Sequence, residues 1–372
     1  MRLLLLISIF PLSVIGQSHP INLPIDSQAT AETKALYTNL GLTAAKHIIF
    51  GQQDALAYGV EWKEWHKKRT DIKDVCGNHP ALFGWEMSKL GKSPLNIDSV
   101  SFREMKAWIK EAYKMGGVNT ISWHMDNFLT GGDSWNVGEK VVASILPGGV
   151  NHEAYLAKLD HFASFLKSLK VGFIFRTKIP IIFRPFHEHT GNWFWWGEAH
   201  CKPEEYVALW RFTVHYLKDK KKLHHILWCY SPDIIEDQEE YLRKYPGDEY
   251  VDILGLDDYH DLGEGRDASS LARRLAMVVQ LAEEKGKIAV LSETGQERIP
   301  EKDWWTNRLL GQIKGDPAAT KIAYLMVWRN ARKDHHYGPY PGHPHKADFI
   351  KFSKDPVMLF QHNLPNMYKI TP

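Results

Sequence analysis

The chain alternates between short apolar runs and longer amphipathic stretches. Each run is almost continuously hydrophobic, which is the pattern of a parallel strand whose two faces are both covered. Polar segments and turn-forming residues separate the runs. The pattern predicts eight strands, at residues 47–53, 81–87, 118–125, 179–188, 225–232, 251–259, 288–295 and 322–330.

The segments between the runs have a helical period. Apolar residues in 269–286 recur at positions that share one face of a helix, and 152–169 repeats the pattern. A further helix is predicted from Asp348 to Ser353. The two long faces consist of Leu271, Leu275, Val278, Val279 and Ala282 in the first helix, and of Tyr155, Leu159, Phe162, Leu166 and Leu169 in the second.

Eight strands that alternate with helices are the elements of a (β/α)8 TIM barrel. An open, doubly wound sheet is the alternative, but its first strand normally leads into a glycine-rich phosphate loop. Residues 51–59, GQQDALAYG, do not form such a loop. No linker or change of composition follows residue 25, so we predict one barrel domain over residues 18–372.

The first 17 residues, MRLLLLISIFPLSVIGQ, have the layout of a cleavable signal peptide. The apolar run from Leu3 to Ile15 is about 13 residues long, too short for a membrane span of about 20. The first cysteine is Cys76, which disfavours a lipid anchor near a cleavage site. We therefore expect an exported protein, periplasmic or secreted, that has no membrane span.

The composition restricts the classes of partner. Lys and Arg number 46 against 44 Asp and Glu, and no basic stripe indicates nucleic-acid binding. The 14 Trp, 15 Tyr and 16 Phe favour a cleft for a ligand with flat faces. The three cysteines, Cys76, Cys201 and Cys229, allow at most one disulfide, and no CxxC pair indicates a zinc site.

Polar side chains gather where the predicted strands end. In (β/α)8 barrels the carboxyl ends of the strands carry the active site, so polar residues there indicate chemistry. These residues are Gln52, Glu86, His124, Glu188, Asp257, Glu293 and Arg329.

Two of these residues, Glu188 and Glu293, end the fourth and seventh runs, which lie across the ring from each other in an eight-strand barrel. Retaining glycoside hydrolysis uses two carboxyl groups about 5–5.5 Å apart. One protonates the leaving oxygen and the other attacks the anomeric carbon. Carboxyl groups this close raise the pKa of one partner, which can then act as the acid.

The longest motif, RPFHEHTGNWFWWG at 184–197, resembles the acid/base motif of glycoside hydrolase family 26, the β-mannanase family. SETG at 292–295 resembles the nucleophile strand of that family. The resemblance covers the chain from about Lys46 onward, and the chain is similar to exported gut-bacterial members of the family. Further cleft motifs match at 122–124 (SWH), 255–259 (GLDDY) and 327–330 (VWRN).

The resemblance implies a retaining β-1,4-mannan hydrolase of the mannan endo-1,4-β-mannosidase type, without cofactor or metal, with Glu188 as acid/base and Glu293 as nucleophile. Mannan, galactomannan and mannooligosaccharides are the implied substrates, cleaved by double displacement. Endo and exo action both fit the motifs, and in a periplasmic enzyme we expect short products such as mannobiose. A monomer is expected. The implied substrate contacts are His124, Trp193 and Trp328 at the sugar under attack, His187 beside the acid, Asp257 and Tyr259 near the nucleophile, Arg329 one sugar towards the non-reducing side, and Trp135 in the loop after the third strand.

Three other interpretations stay open from the sequence. If His187 and His189 alternate with Glu188 along a strand, their imidazoles share a face, which would suit a metal-dependent barrel hydrolase. The same scaffold could cleave β-1,3-xylan or mixed-linkage β-glucan. A non-catalytic glycan-binding protein is disfavoured, because a binder has no need of paired carboxylates.

Overall fold

The structure is a computed structural model that describes residues 23–63, 68–173, 176–263 and 265–370. The predicted signal peptide, residues 1–17, lies outside the described residues. The described chain forms the predicted parallel barrel, with its strands hydrogen-bonded in chain order. The strands are β1 (Ile48–Gln53), β2 (Leu82–Glu86), β3 (Val118–Ser122), β4 (Ile181–Arg184), β5 (Ile226–Tyr230), β6 (Ile253–Asp258), β7 (Ile288–Thr294) and β8 (Tyr324–Val327).

The sheet closes on itself because β8 pairs with β1. In this pairing Ile49 lies opposite Tyr324, and Gln52 lies opposite Val327. A closed ring of eight strands confirms the barrel and rules out the doubly wound sheet. A short strand, Met358–Leu359, also pairs in parallel with the start of β1.

Helices fill the crossovers between the strands. Short antiparallel pairs join Lys170–Val171 to Thr177–Lys178 and Asn330–Arg332 to His335–His336. The α-helices are α1 (Ala31–Ala44), α2 (Asp71–Cys76), α3 (Phe102–Lys114), α4 (Val141–Ile145), α5 (His152–Ser168), α6 (Pro203–His215), α7 (Gln238–Leu242), α8 (Ser269–Lys285), α9 (Leu310–Gly315) and α10 (Lys346–Phe352). Single π-helical turns lie at Tyr216–Lys220 and Trp304–Leu309, and 3-10 turns lie at Asp248–Tyr250, Ala319–Lys321 and Gln361–Asn363.

The predicted helices at 152–169 and 269–286 are confirmed as α5 and α8, and the apolar faces that predicted them are buried. Helix α8 ends at Gly286, whose φ of 61° is the left-handed conformation that glycine adopts at many helix ends. The last predicted helix begins two residues earlier than Asp348, at Lys346, and ends at Phe352.

Two buried layers follow the two faces of each strand. In β7, Ala289 and Leu291 pack outward against the helices, whereas Ile288 and Val290 belong to the group inside the barrel. The inner group draws side chains from every strand and is joined at the amino-terminal end by residues of α1. The apolar parts of the strands therefore form the packed core of the barrel. The polar carboxyl ends of the strands form the mouth of the barrel, at the end opposite α1.

Within the described residues, no helix has the length and apolar character that a bilayer crossing needs. Cys76, Cys201 and Cys229 are all free thiols. Burial raises the pKa of both Cys201 and Cys229 to about 12, which keeps these thiols protonated and unreactive at neutral pH.

Candidate active site

Glu188 lies in a tight turn beyond β4. The strand was predicted to run to this residue, but it ends at Arg184, and Glu188 has a left-handed φ of 54°. Its backbone N–H donates to the carbonyl of Ser231 at 2.8 Å, and the indole Nε1 of Trp193 donates to its Oε2 at 2.6 Å. A strained backbone held by such bonds is typical of functional sites.

The turn also separates the two histidines beside Glu188. His187 packs against Phe194 and Trp196, whereas His189 packs against Tyr206 and Tyr230 on another side of the chain. The prediction that both imidazoles share a face is wrong, because the chain leaves the extended conformation before it reaches them. Among the described residues, no group of three or more His, Cys, Asp and Glu side chains is placed to hold a metal.

Buried indoles hold this turn in place. Trp196 donates from Nε1 to the carbonyl of His187, and Trp195 donates to the carbonyl of Met125, each at 2.8 Å. Phe194, Trp195 and Trp196 are at most 2% exposed, while Trp193 is 39% exposed. Of these four consecutive aromatics, Trp193 is therefore the one with a face available to a ligand.

Glu293 reaches the barrel mouth through a β-bulge in β7. Leu256 and Asp257 of β6 pair with Leu291 and Glu293, so Ser292 is an extra residue between them. Simple alternation would turn Glu293 outward with Leu291, whereas the bulge places Ser292 and Glu293 both on the inner side. β-Bulges commonly redirect a side chain next to an active site.

A buried arginine connects the inner carboxylates. Arg184, at the end of β4, forms an ion pair with Glu293 and binds Asp257 at 2.9 Å. The hydroxyl of Tyr259 donates to the other oxygen of Glu293 at 3.0 Å, and Ser292 donates to Asp257 at 2.6 Å. Both oxygens of Glu293 are thus held, one by a guanidinium and one by a phenol.

Sequence reasoning missed Arg184, although it is the first residue of the motif at 184–197. The sequence did carry a signal for this residue. Arg184 lies two positions after Ile182, which points into the barrel, so the side chain of Arg184 is expected on the same inner face of β4.

Glu188 and Glu293 have opposite electrostatic surroundings. Desolvation raises the pKa of Glu188 well above its usual value, and the negative charges of Glu293 and Asp233 add to the increase. The hydrogen bond from Trp193 opposes it. Glu293 is instead paired with the Arg184 cation. Glu188 is thus suited to hold a proton, whereas the side chain of Glu293 is bound by a cation.

His124 is the centre of an aromatic group beside these glutamates. Its ring lies 4.7 Å from that of His187, 6.2 Å from Trp328 and 5.0 Å from Trp135, on which it stacks. Trp135 is 46% exposed, so its ring is open to a ligand. The structure therefore brings together four of the residues predicted to bind substrate, namely His124, His187, Trp135 and Trp328.

The carboxylate of Glu86, at the end of β2, orients His124. Its Oε2 lies 2.7 Å from Nδ1 of His124, and its Oε1 accepts from the backbone N–H of the same residue at 2.9 Å. Burial lowers the pKa of His124, but the charge and hydrogen bond of Glu86 outweigh this and raise it. His124 thus directs Nε2 away from Glu86.

His187 has the opposite electrostatic character. Burial and the charges of His124 and Arg184 hold its pKa well below the usual value, so it is neutral. Within the described chain, both of its buried ring nitrogens lack a hydrogen-bond partner. Buried polar atoms are normally satisfied, so these nitrogens are candidates to bind a ligand.

Arg329 follows β8 and lies among residues from the loops after β1 and β2. It forms an ion pair with Asp98 at 3.0 Å and a hydrogen bond to the hydroxyl of Tyr58 at 3.3 Å. These bonds fix the guanidinium at one edge of the barrel mouth. Sequence reasoning selected Arg329 but missed Asp98 and Tyr58, because neither lies in a recognisable motif.

A carboxyl group that keeps its proton and an ion-paired carboxylate, together at the mouth of a (β/α)8 barrel, define the class of barrel glycoside hydrolases. The model of glycosyl hydrolase family 26 matches residues 25–326, and the chain belongs to this family.

Curated relatives and solved structures agree with this family. A mannan endo-1,4-β-mannosidase of Bifidobacterium adolescentis is 32% identical over 88% of this chain, which spans only 34% of that relative. The mannan endo-1,4-β-mannosidase of Bacillus subtilis strain 168 is 30% identical over 50% of this chain and 52% of its own length. The chain thus spans between a third and about half of these two relatives.

Two solved structures resemble nearly the whole chain. A family 26 β-mannanase of Bacteroides ovatus has a TM-score of 0.86 and 40% identity, covering 92% of this chain and 98% of that one. A modular endo-β-1,4-mannanase of Cellulomonas fimi has a TM-score of 0.85 and 34% identity, covering 94% and 80%. The fold described above is therefore that of the family 26 catalytic barrel.

Proposed function

We propose that the protein is a retaining β-1,4-mannan hydrolase that cleaves mannan, galactomannan and mannooligosaccharides. The observation that carries this proposal is the opposite electrostatic character of Glu188 and Glu293 at the mouth of one barrel. The relatives named above as mannanases support mannan as the substrate. Their names also favour cleavage inside the chain of sugars.

The reaction takes two steps. In the first, the carboxylate of Glu293 attacks the anomeric carbon while Glu188 gives its proton to the glycosidic oxygen, so the C–O bond breaks and a glycosyl ester forms. In the second, Glu188 takes a proton from a water whose oxygen attacks the same carbon and releases Glu293. Two inversions leave the β configuration unchanged.

The neighbouring side chains orient the nucleophile. Arg184 and Tyr259 bind different oxygens of Glu293, which leaves the carboxylate little freedom to rotate. Asp257 in turn binds Arg184 through both of its oxygens, at 2.9 and 3.0 Å. A nucleophile held in this way loses little entropy when it attacks.

The aromatic and imidazole groups suit a sugar ring. The C–H face of a mannose stacks on exposed indoles, which Trp135 and Trp193 offer, while hydroxyl groups need polar partners. We assign the free nitrogens of His187 and the Nε2 of His124 to those hydroxyls, with Trp328 beside them. Arg329 would bind the next sugar. β-1,3-Xylan and mixed-linkage β-glucan are disfavoured because the relatives named above are mannanases.

We further propose that the protein is exported as a monomer to the periplasm or the medium. The sequence of residues 1–17 supports export, since it has the order of regions of a signal peptide.

The two glutamates are tested by Glu188→Ala and Glu293→Ala. Loss of a general acid costs about 10²–10⁴-fold in rate, so we expect kcat on mannopentaose to fall at least that far in both variants. Glu283→Ala is the control, because Glu283 binds Lys321 on the outer surface, and its kcat should equal that of the wild type.

Full activity in either glutamate variant, with an unchanged melting temperature, would refute the assignment. Proton NMR of the first product tests the stereochemistry separately: β-anomer should appear before α, and initial α-anomer would exclude double displacement.

A further inference from the structure

Lys244 is a buried lysine that takes no part in the two-step reaction. It follows α7 in the crossover from β5 to β6, and its side chain is only 1% exposed. A buried ammonium group is unfavourable unless it is paired with a carboxylate and hydrogen-bonded. The groups that satisfy Lys244 therefore indicate what the fold uses this lysine for.

The hydrogen-bond acceptor and the ion-pair partner of Lys244 both belong to the segment from Glu188 to Glu198. Its Nζ donates to the carbonyl of His189 at 3.3 Å and lies 3.1 Å from Oε2 of Glu198. The other carboxylate oxygen of Glu198 pairs with Arg243 at 3.1 Å. Lys244 thus joins the beginning of the segment to its end.

Backbone hydrogen bonds close the same segment around the acid. The carbonyl of Glu188 accepts from the N–H of Gly191 at 3.1 Å, and the carbonyl of Gly191 accepts from the N–H of Glu198 at 2.9 Å. A Cβ on Gly191 would overlap the ring of Trp193, so this indole lies directly on the segment. The same indole donates to Oε2 of Glu188 at 2.6 Å. A shift of the segment would therefore move both the acid and its hydrogen-bond donor.

The turn at Glu188 needs such support. Its φ of 54° is unfavourable for a residue with a side chain, and a strained residue of this kind persists only where its surroundings hold it. The ring of His189 is held by the hydroxyl groups of Tyr206 at 3.2 Å and Tyr230 at 2.8 Å. Lys244 adds a charged donor to the main chain of the same residue, next to the acid.

We propose that Lys244 is a positioning residue for the general acid. Its ammonium group ties the carbonyl of His189 to the carboxylate of Glu198, and this tie keeps Glu188 against the indole of Trp193. The inference rests on the proposed hydrolase function. It assigns to a residue outside the cleft the task of fixing where the proton is delivered.

The first experiment compares Lys244→Met with wild type on two substrates. Mannopentaose has a sugar as its leaving group and needs the acid, whereas the leaving group of 2,4-dinitrophenyl β-mannobioside departs without protonation. A misplacement of about 1 Å can cost about 10²-fold in rate, so we expect kcat/KM to fall about tenfold or more on mannopentaose and less than about threefold on the aryl substrate. General damage to the barrel would lower both values together.

The second experiment adds azide to the aryl substrate. Water needs Glu188 as a base to attack the glycosyl ester, but azide ion needs none. Its terminal nitrogen bonds to the anomeric carbon, the C–O bond to Glu293 breaks, and β-mannobiosyl azide is released. In Lys244→Met the second step should limit kcat, so we expect azide to raise kcat by more than about threefold in this variant and to leave the wild type unchanged.

Two further variants complete the comparison. Glu198→Gln keeps the shape of the carboxylate but removes its charge, and it should show a smaller loss, on mannopentaose alone. It also tests the proposal if Lys244→Met does not fold. Lys287→Met is the matched control, because Lys287 donates to the carbonyl of Asp248 at 2.6 Å just before the start of β7, and it should match wild type on both substrates.

Equal losses on the two substrates, no loss on mannopentaose, or no response to azide in Lys244→Met would overturn the proposal. Where Lys244→Met does not fold, the same losses in Glu198→Gln decide. Glu188→Ala should show the split between substrates and the azide response more strongly. If Glu188→Ala shows neither, the proposed function fails; if it shows both and the lysine variant does not, only the role of Lys244 fails.

Discussion

At the residue scale, opposing influences act on the carboxyl group of Glu188. Burial and the charges of Glu293 and Asp233 favour the protonated form of Glu188, while the indole of Trp193 stabilises the ionised form. In the reaction proposed above, this balance would let Glu188 act as the acid in the first step and as the base in the second, since neither form is too stable to leave.

Trp193→Phe should shift the pH dependence upward. In the wild type, the hydrogen bond from Trp193 lowers the pKa of Glu188. Its loss in the variant therefore raises that pKa. The acid must be protonated to act, and activity should therefore persist to higher pH. The measurement is the basic limb of kcat/KM against pH on mannopentaose. A limb that stays in place or moves to lower pH would contradict this account, and Trp195→Phe, a buried residue that donates to Met125, controls for general loss of packing.

At the element scale, the carboxyl end of β7 positions the side chain of Glu293. In β7 the extra residue Ser292 turns Glu293 inward, and Gly295 follows at a φ of 148°. A Cβ on Gly295 would lie 2.6 Å from Cδ1 of Tyr337. Glycine is therefore required by both the backbone and the neighbouring ring.

Gly295→Ala should displace Tyr337 and disturb the end of β7. An unsuitable φ costs about 1–3 kcal/mol, so we expect a lower melting temperature together with a fall in kcat. The double variant Gly295→Ala/Tyr337→Ala lacks the clash with the ring, so we expect it to recover that part of the lost stability. The part of the loss that is caused by the unsuitable φ should remain. Wild-type stability in Gly295→Ala, measured by thermal unfolding, would show that the strand end accommodates the methyl group.

At the scale of the whole molecule, the closed barrel supports a site whose parts come from distant segments. The interior is filled by closely packed side chains from neighbouring strands: a Cβ on Gly84 of β2 would meet Gln53 of β1 and would lie 2.7 Å from Sδ of Met326 in β8. This packing holds the strand ends at fixed positions relative to one another. It therefore also fixes the relative positions of Glu188, Glu293 and Arg329.

Gly84→Val should destabilise the fold more than it harms the chemistry. Overpacking a core costs about 1–3 kcal/mol, and each kcal/mol lowers the Tm of a large domain by about 2–4 °C. Calorimetry should show this decrease, with kcat at 25 °C changed little. Gly138→Ala is the control, because its Cβ would touch only Val141 at 4.0 Å. An unchanged Tm for Gly84→Val would show that the barrel interior accommodates the larger side chain without strain.

Local pattern determined much of the fold. The eight apolar runs and the helical faces of α5 and α8 predicted the barrel, because strand and helix periods are properties of neighbouring residues. The same pattern placed Glu293 at the carboxyl end of β7, whereas Glu188 lies in a turn four residues beyond the end of β4. The prediction for His187 and His189 failed because it assumed that a strand continues through a turn whose φ values are positive at Phe186 and Glu188.

The sequence alone therefore determined the class of fold and selected the two glutamates and the aromatic residues of the mouth as candidates, because all of these are encoded in short stretches. Only the tertiary structure decided their partners: Arg184 for Glu293, Glu86 for His124, Asp98 for Arg329 and Asp233 beside Glu188. Each pair joins residues that are far apart in the chain, and such pairs meet only when the ring of strands closes and a bulge or turn directs each side chain to the mouth.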